Sequence, residues 1–261
     1  MLVFRFDLHA FRLLQLRNSF HDMVVRTAKL LTKLAIVIVM INIVLAIVSN
    51  VPTFLSDSDR LVFRSALHLS EPDEPLTFDQ EIAAIRDVQA KVVGEAPLGE
   101  PIPDYRSREP ADLIQNRSGL CYDISRTIDK ALHYEGFQTR HVYILYPEDP
   151  ATGETLSYLK AFFTRGTASH AVTEVKTKRG WLVVDSNSPW ISLTRDGDAV
   201  DADHVDARSK DFDSIPSYFD RPFLAIRGLY SRRGQLYRPY IPYPQLNWVD
   251  FMNWLASKVV I

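Results

Sequence analysis

Cysteine is nearly missing from this sequence: Cys121 is the single example in 261 residues. No internal disulfide can form, which excludes a disulfide-stapled secreted module, and a zinc site of the paired-cysteine kind goes with it. An excess of charge of either sign is missing as well. Thirty Lys and Arg stand against thirty-two Asp and Glu, a formal net charge of −2, whereas a nucleic-acid binder would normally present a basic surface. No internal repeat and no low-complexity tract occurs. Charge itself vanishes over one long stretch: from Leu34 to Ser56 there is no Asp, Glu, Lys or Arg, and Leu34–Val48 is apolar apart from Asn42.

That stretch is long enough to cross a bilayer core, which takes about 20 residues as a helix. Ahead of it, residues 1–33 carry Arg5, Arg12, Arg17, Arg26, Lys29 and Lys33 against Asp7 and Asp22. By the positive-inside rule the N-terminus stays in the cytoplasm and everything after Val51 lies outside. A cleaved signal peptide would have a short basic leader and a small-residue cleavage site; this leader is long, and AIVSN is not such a site. A buried core helix would keep a polar face. The expected organisation is a cytoplasmic tail (1–33), a single membrane anchor (34–55) in a bacterial-type cytoplasmic membrane, a tether (56–104) and an extracytoplasmic domain (105–261).

The tether reading rests on proline, seven of the fifteen falling between residues 51 and 110. One helix interrupts it, announced by the capping box Thr77/Gln80 and by Ile82, Ile85, Val88 and Val92 along one face. From Glu109 the pattern changes to a short helix opened by Pro110, then a longer one carrying Leu120, Ile124, Ile128 and Leu132 and stopped by Gly136. A strand at Val142–Tyr146 follows, closed by the turn-rich PEDPATG (147–153), and then strands Ala168–Thr177 and Trp181–Asp185. Helices followed by strands predict an α+β domain.

Cys121 falls in the first turn of the longer helix, behind Ser118-Gly119-Leu120. Free N–H groups and the positive end of the helix dipole stabilise a thiolate there and can stabilise an oxyanion forming beside the sulfur. Gly119 would allow a substrate backbone to come close. A cysteine nucleophile needs a base, and the base an orienting group. If the turn between the last two strands has two residues, Lys178-Arg179, then Thr177 faces Gly180 and Val172 faces Asp185. His170 and Asp185 then share a sheet face as diagonal neighbours. A three-residue turn would separate them. Simpler readings stand beside these: an inert core thiol, a satisfied core histidine, and a strand-end cap of the Ser186–Pro189 turn.

The run from about Arg108 to Trp190 resembles the transglutaminase-like catalytic core. Arg117-Ser118-Gly119-Leu120-Cys121 matches its nucleophile segment, and Gly136-Phe137-Gln138-Thr139-Arg140-His141-Val142 its helix end and first strand. Ser169-His170-Ala171-Val172-Thr173-Glu174-Val175 matches the histidine strand, and Gly180-Trp181-Leu182-Val183-Val184-Asp185 the aspartate strand. The resemblance implies a papain-like α+β core in which Cys121 is the nucleophile, His170 the general base and acid, and Asp185 the orienting carboxylate. One departure is Val172, where the family often has an aromatic residue. Asn116 and Gln115 are the candidates for a second oxyanion donor.

The implied chemistry is thiol-dependent acyl transfer on amide bonds, with no metal or organic cofactor. The expected activity is a peptidase or amidase acting on envelope proteins or cell-wall peptides. Amine transfer giving an isopeptide cross-link and a non-catalytic peptide-binding module are the alternatives. The oligomeric state is left open. His141 reads as structural. The stretch Asp196–Asp213, with seven aspartates and His204, lacks the spacing of a calcium loop and reads as solvated. The C-terminal run Leu246–Ile261 is too short to span a bilayer and either packs on the domain or lies in a membrane interface or on a partner.

Overall fold

The computed structural model describes residues 8–70, 74–147 and 155–259, which fall into two compact units, 1–48 and 49–261. Most of the PEDPATG turn and the first seven residues of the expected cytoplasmic tail lie outside the described residues.

The first unit is one helix, α1 (Leu8–Val48). Its stretch Met23–Val48 is long and apolar enough to cross a membrane, with mean hydropathy 2.7 and none of its most apolar window buried. Asn42, the polar interruption, donates its side-chain amide to the Ile38 carbonyl one turn back at 2.8 Å, so it satisfies itself within the helix. The helix ends at Val48, short of the position 55 expected for the end of the anchor.

The second unit contains α2 (Asp57–Ser65), α3 (Phe78–Glu95), α4 (Pro110–Asn116), α5 (Cys121–Tyr134), β1 (Thr139–Leu145), α6 (Thr155–Phe163), β2 (Ser169–Thr177) and β3 (Gly180–Val184). It closes with β4 (Leu224–Arg227), β5 (Leu229–Ser231), β6 (Gln245–Leu246) and α7 (Trp248–Val259). The main sheet is antiparallel with strand order β3-β2-β1-β4, and β5 pairs with β6 separately. This is the expected α+β architecture. Helices cover one face, where Val175, Leu182 and Val184 join Phe63, Ile85, Val88, Val92, Ile124 and Ile128 in a core. The irregular segment after β3 supplies a second core, where Val200, Val205, Phe212 and Phe219 meet Val142, Ile144, Val172 and Val183.

Residues 56–104, expected to form a tether, belong to the second unit. The residues expected to form one are packed: Phe63, Leu67, Leu69, Ile82, Ile85, Val88, Val92 and Ile102 are all buried. The reason lies in α5, which is buried almost throughout although it carries Arg126 and Lys130. Buried cations need partners, and one of them, Asp59, comes from this stretch, with Pro52 and Glu109 just outside it supplying the others. Lys130 pairs with Asp59 at 2.8 Å and Glu109 at 2.6 Å, and Arg126 with Glu109 at 2.7 Å and the Pro52 carbonyl at 3.1 Å. The expected helix within the stretch does form, and Thr77 and Gln80 complete its capping box. The prolines stiffen connections within a folded unit.

Candidate active site

The hairpin between β2 and β3 sets the geometry. Thr177 pairs with Gly180 and Thr173 with Val184, so the turn is the two residues Lys178-Arg179. Gly180 closes it at φ 128°, a backbone conformation that favours glycine. This register brings together His170 and Asp185 as the sequence suggested. The His170 Nε2–H donates to Asp185 Oδ1 at 2.7 Å, and both side chains are buried.

The other Asp185 oxygen is filled as well. Oδ2 accepts from the Ser188 backbone N–H at 3.0 Å, from the Ser188 hydroxyl at 2.6 Å and from the Tyr218 hydroxyl. Asp185 is thus a turn cap and a histidine partner at once. Burial alone would raise its carboxyl, but the hydrogen bonds from His170, Ser188 and Tyr218 together with the His170 charge hold it below the usual carboxylate range. Burial and the Asp185 charge in turn push the Tyr218 phenol up, keeping it a donor. The Tyr218 ring also meets the His170 ring edge-on at 4.9 Å.

Cys121 is the first residue of α5 and half-buried. Cys121 favours the charged form of the His170 ring, and with Nε2 committed to Asp185 the ring nitrogen outside that bond is Nδ1. Burial alone would lower the imidazole, yet the hydrogen bonds and charges of Asp185 and Cys121 carry it up to about 9. The ring is therefore an imidazolium through the neutral range. First-turn N–H groups have no acceptor within their helix, so α5 itself does not use those of Cys121 and Tyr122.

The helix start is held rigidly. The Leu120 N–H donates to Asp123 at 3.1 Å, and Asp123 receives Arg108, whose guanidinium also reaches the Tyr122 hydroxyl at 3.1 Å. Gly119 has a different reason from the one expected. A Cβ there would stand 2.5 Å from a Leu113 methyl and 3.0 Å from the Asp123 Cβ, so glycine is needed for α4 and α5 to meet. The two expected oxyanion side chains belong to this connection. Asn116 donates to the Ser118 carbonyl at 2.8 Å, and the exposed Gln115 holds Arg106 through its side-chain oxygen.

Three residues of the site escaped the sequence reading: Ser188, Tyr218 and Gln89. Gln89 of α3 is buried, and its side-chain amide donates to the carbonyls of Asp185 at 2.8 Å, Ser188 at 2.9 Å and Trp190 at 2.9 Å. A polar residue inside the apolar face of α3 was the available signal. Val172, two residues after the histidine, is buried in the second core with Phe219, whose ring lies 6.0 Å from that of His170. An aromatic ring thus reaches the histidine from the chain beyond β3.

His141 is structural. It is fully buried, stacked on Tyr230 at 4.1 Å, and burial first and the Arg126 charge second push it down to about 3, so it stays neutral. In the aspartate-rich stretch, Asp198 and Asp211 pair with Arg208, Asp203 with Arg227 and Lys258, and Asp201 with His204. No group of three or more His, Cys, Asp or Glu among the described residues is placed to hold a metal ion.

The family model of the transglutaminase-like superfamily matches residues 75–186. This part of the chain is a transglutaminase-like domain, and the superfamily includes cysteine peptidases and transglutaminases. None of the curated proteins matches the chain. The matched span opens at the α3 cap and closes just after Asp185, so it takes in Gln89, Cys121, His170 and Asp185.

Proposed function

We propose that this transglutaminase-like domain is a thiol-dependent amide hydrolase held at a membrane by α1. The observation that carries the reading is the His170 ring, bound through Nε2 to the buried Asp185 carboxylate and held in its charged form by that carboxylate and by Cys121. In the proposed reaction the Cys121 sulfur attacks an amide carbonyl carbon. Negative charge developing on the carbonyl oxygen is met by the N–H groups of Cys121 and Tyr122. As the C–N bond breaks, the His170 imidazolium gives its proton to the leaving amine, which leaves a thioester on Cys121. Water then adds to the thioester carbonyl while neutral His170 takes its proton. The S–C bond breaks, and acid product, thiolate and imidazolium are regenerated. Asp185 keeps the ring oriented and favours its charged form.

The basic leader before the apolar helix supports a cytoplasmic N-terminus and a domain on the outer side of a bacterial-type cytoplasmic membrane. Envelope proteins and cell-wall peptides are the substrates within reach there. Intact-mass analysis of the full chain, mixed with envelope peptides and quenched in acid, tests the chemistry. A mass increase on Cys121 that hydroxylamine removes is expected. An amine-containing product in place of the free acid would make the protein a cross-linking enzyme, and no adduct with any peptide pool would favour a binding module.

A further inference from the structure

An apolar groove of about 340 Å³ lies between α6, β4 and α7, away from the catalytic residues. Its walls include Phe162 and Phe163 of α6, Leu224 and Ile226 of β4, and Phe251 and Trp254 of α7. That volume is at the small end of the roughly 300–1,000 Å³ usual for ligand sites.

Helix α7 is apolar on two sides. Trp248, Phe251 and Trp254 turn inward against Ile226, Leu229 and Leu246. Val249, Met252 and Leu255 form a second stripe that faces out, with Val249 70% exposed. Beside the groove Phe163 is also 70% exposed and Leu159 54%. Large apolar side chains clustered and exposed in this way mark a docking surface.

Chain connectivity indicates what covers it. The residues that directly follow the apolar helix are fastened to the start of α7. The Leu246 N–H donates to the Ser49 carbonyl at 3.3 Å and the Val51 N–H to the Leu246 carbonyl at 2.8 Å. Asn247 donates to the Val51 carbonyl at 3.1 Å, and the Trp248 N–H to the Asn50 side chain at 3.4 Å. The groove is therefore built onto the segment where the chain leaves α1. A helix of twelve residues rises only about 18 Å, so if α1 spans a bilayer all of α7 stays near its surface. Trp248 and Trp254 are of the type enriched at membrane interfaces, and Arg232 and Arg233 cap the α6 carbonyls beside them.

We infer that the α6–α7 groove takes an acyl chain of a bilayer lipid, with the outward stripe of α7 lying in the membrane interface. The inference rests on the membrane reading of α1. It would give the catalytic domain a second contact with the membrane besides α1.

The test uses the full chain reconstituted into liposomes of phosphatidylcholine carrying a photoactivatable diazirine on its acyl chain. Peptides bearing lipid are mapped after illumination. Label is expected within residues 23–48 and also on peptides from α6 and α7. Val249→Glu together with Met252→Glu, both at exposed positions, should strip the label from α6 and α7 and leave that on α1 unchanged. Label on α1 alone would overturn the inference while keeping the anchor, and so would cross-links joining α7 of two copies. Absence of label from α1 would remove the membrane reading and the inference with it.

Discussion

The side chain of Gln89 donates to the main-chain carbonyl of Asp185 across 96 positions of sequence, at 2.8 Å. Through this contact a helix preceding Cys121 holds the turn that carries the Asp185 carboxylate. The amide has two protons and reaches three carbonyls of the turn, so it fixes the turn's shape as well as its place.

Replacement of Gln89 by leucine keeps the volume and removes those donors. Leaving buried carbonyls without a partner costs about 1–3 kcal/mol each. The urea midpoint should fall accordingly, and activity should fall further than the loss of folded protein explains. An unchanged midpoint would mean that α3 is not part of the cooperative unit.

His170 should titrate near 9 when followed by NMR of the imidazole carbons. Asp185→Asn removes the main support of the charged ring and should bring the midpoint down by more than Cys121→Ala does. The sign for stability follows. A folded-state pKa above the unfolded value of about 6.5 gives a contribution complete below that value and lost as pH rises through about 9. Unfolding free energy should therefore decline between neutral pH and 10, less steeply in His170→Ala.

In the proposed reaction Cys121, His170 and Asp185 act as a unit, so their losses should not add. Cys121→Ala with His170→Ala should be little worse than either alone. Asp185→Asn should lose about 10⁴-fold in kcat, since it permits the wrong ring tautomer. Tyr218→Phe leaves two donors on Oδ2 and should cost far less, in kcat before KM. Steady-state kinetics on any peptide that acylates Cys121 would show the order, and equal losses for Tyr218→Phe and Asp185→Asn would contradict it.

Much of the site was legible because local rules determine it. The two-residue turn at Lys178-Arg179 fixes the register, and the register places His170 beside Asp185. Pro110, Gly136 and the apolar positions of α5 put Cys121 at a helix start. What escaped is non-local. Tyr218 belongs to an irregular segment without periodicity, and its link to Asp185 spans 33 positions. The stretch 56–104 is dense in proline, yet Phe63, Leu67, Leu69 and Ile102 are buried in the fold. Those apolar residues and the cations of α5 that need Asp59 and Glu109 were the better guide. Gly119 was read as room for substrate, whereas Leu113 and Asp123 fill that space.

Orientation is open to a direct check. On intact spheroplasts, added protease should remove a tag placed after Ile261 and spare one placed before Met1. The reverse pattern would put the domain in the cytoplasm and take envelope peptides away as substrates.

The central claim is that His170 and Asp185 make Cys121 a working nucleophile, and the rate at which Cys121 takes up a small uncharged electrophile measures it most directly. Stopped-flow mixing with iodoacetamide at neutral pH should show rapid single alkylation of the folded wild-type chain. His170→Ala should be slowed by roughly tenfold, the change expected when a thiol loses the neighbouring cation that favours its anion, with Asp185→Asn between the two. Equal rates in all three proteins would show a thiol that its neighbours do not activate, and the hydrolase reading would fail.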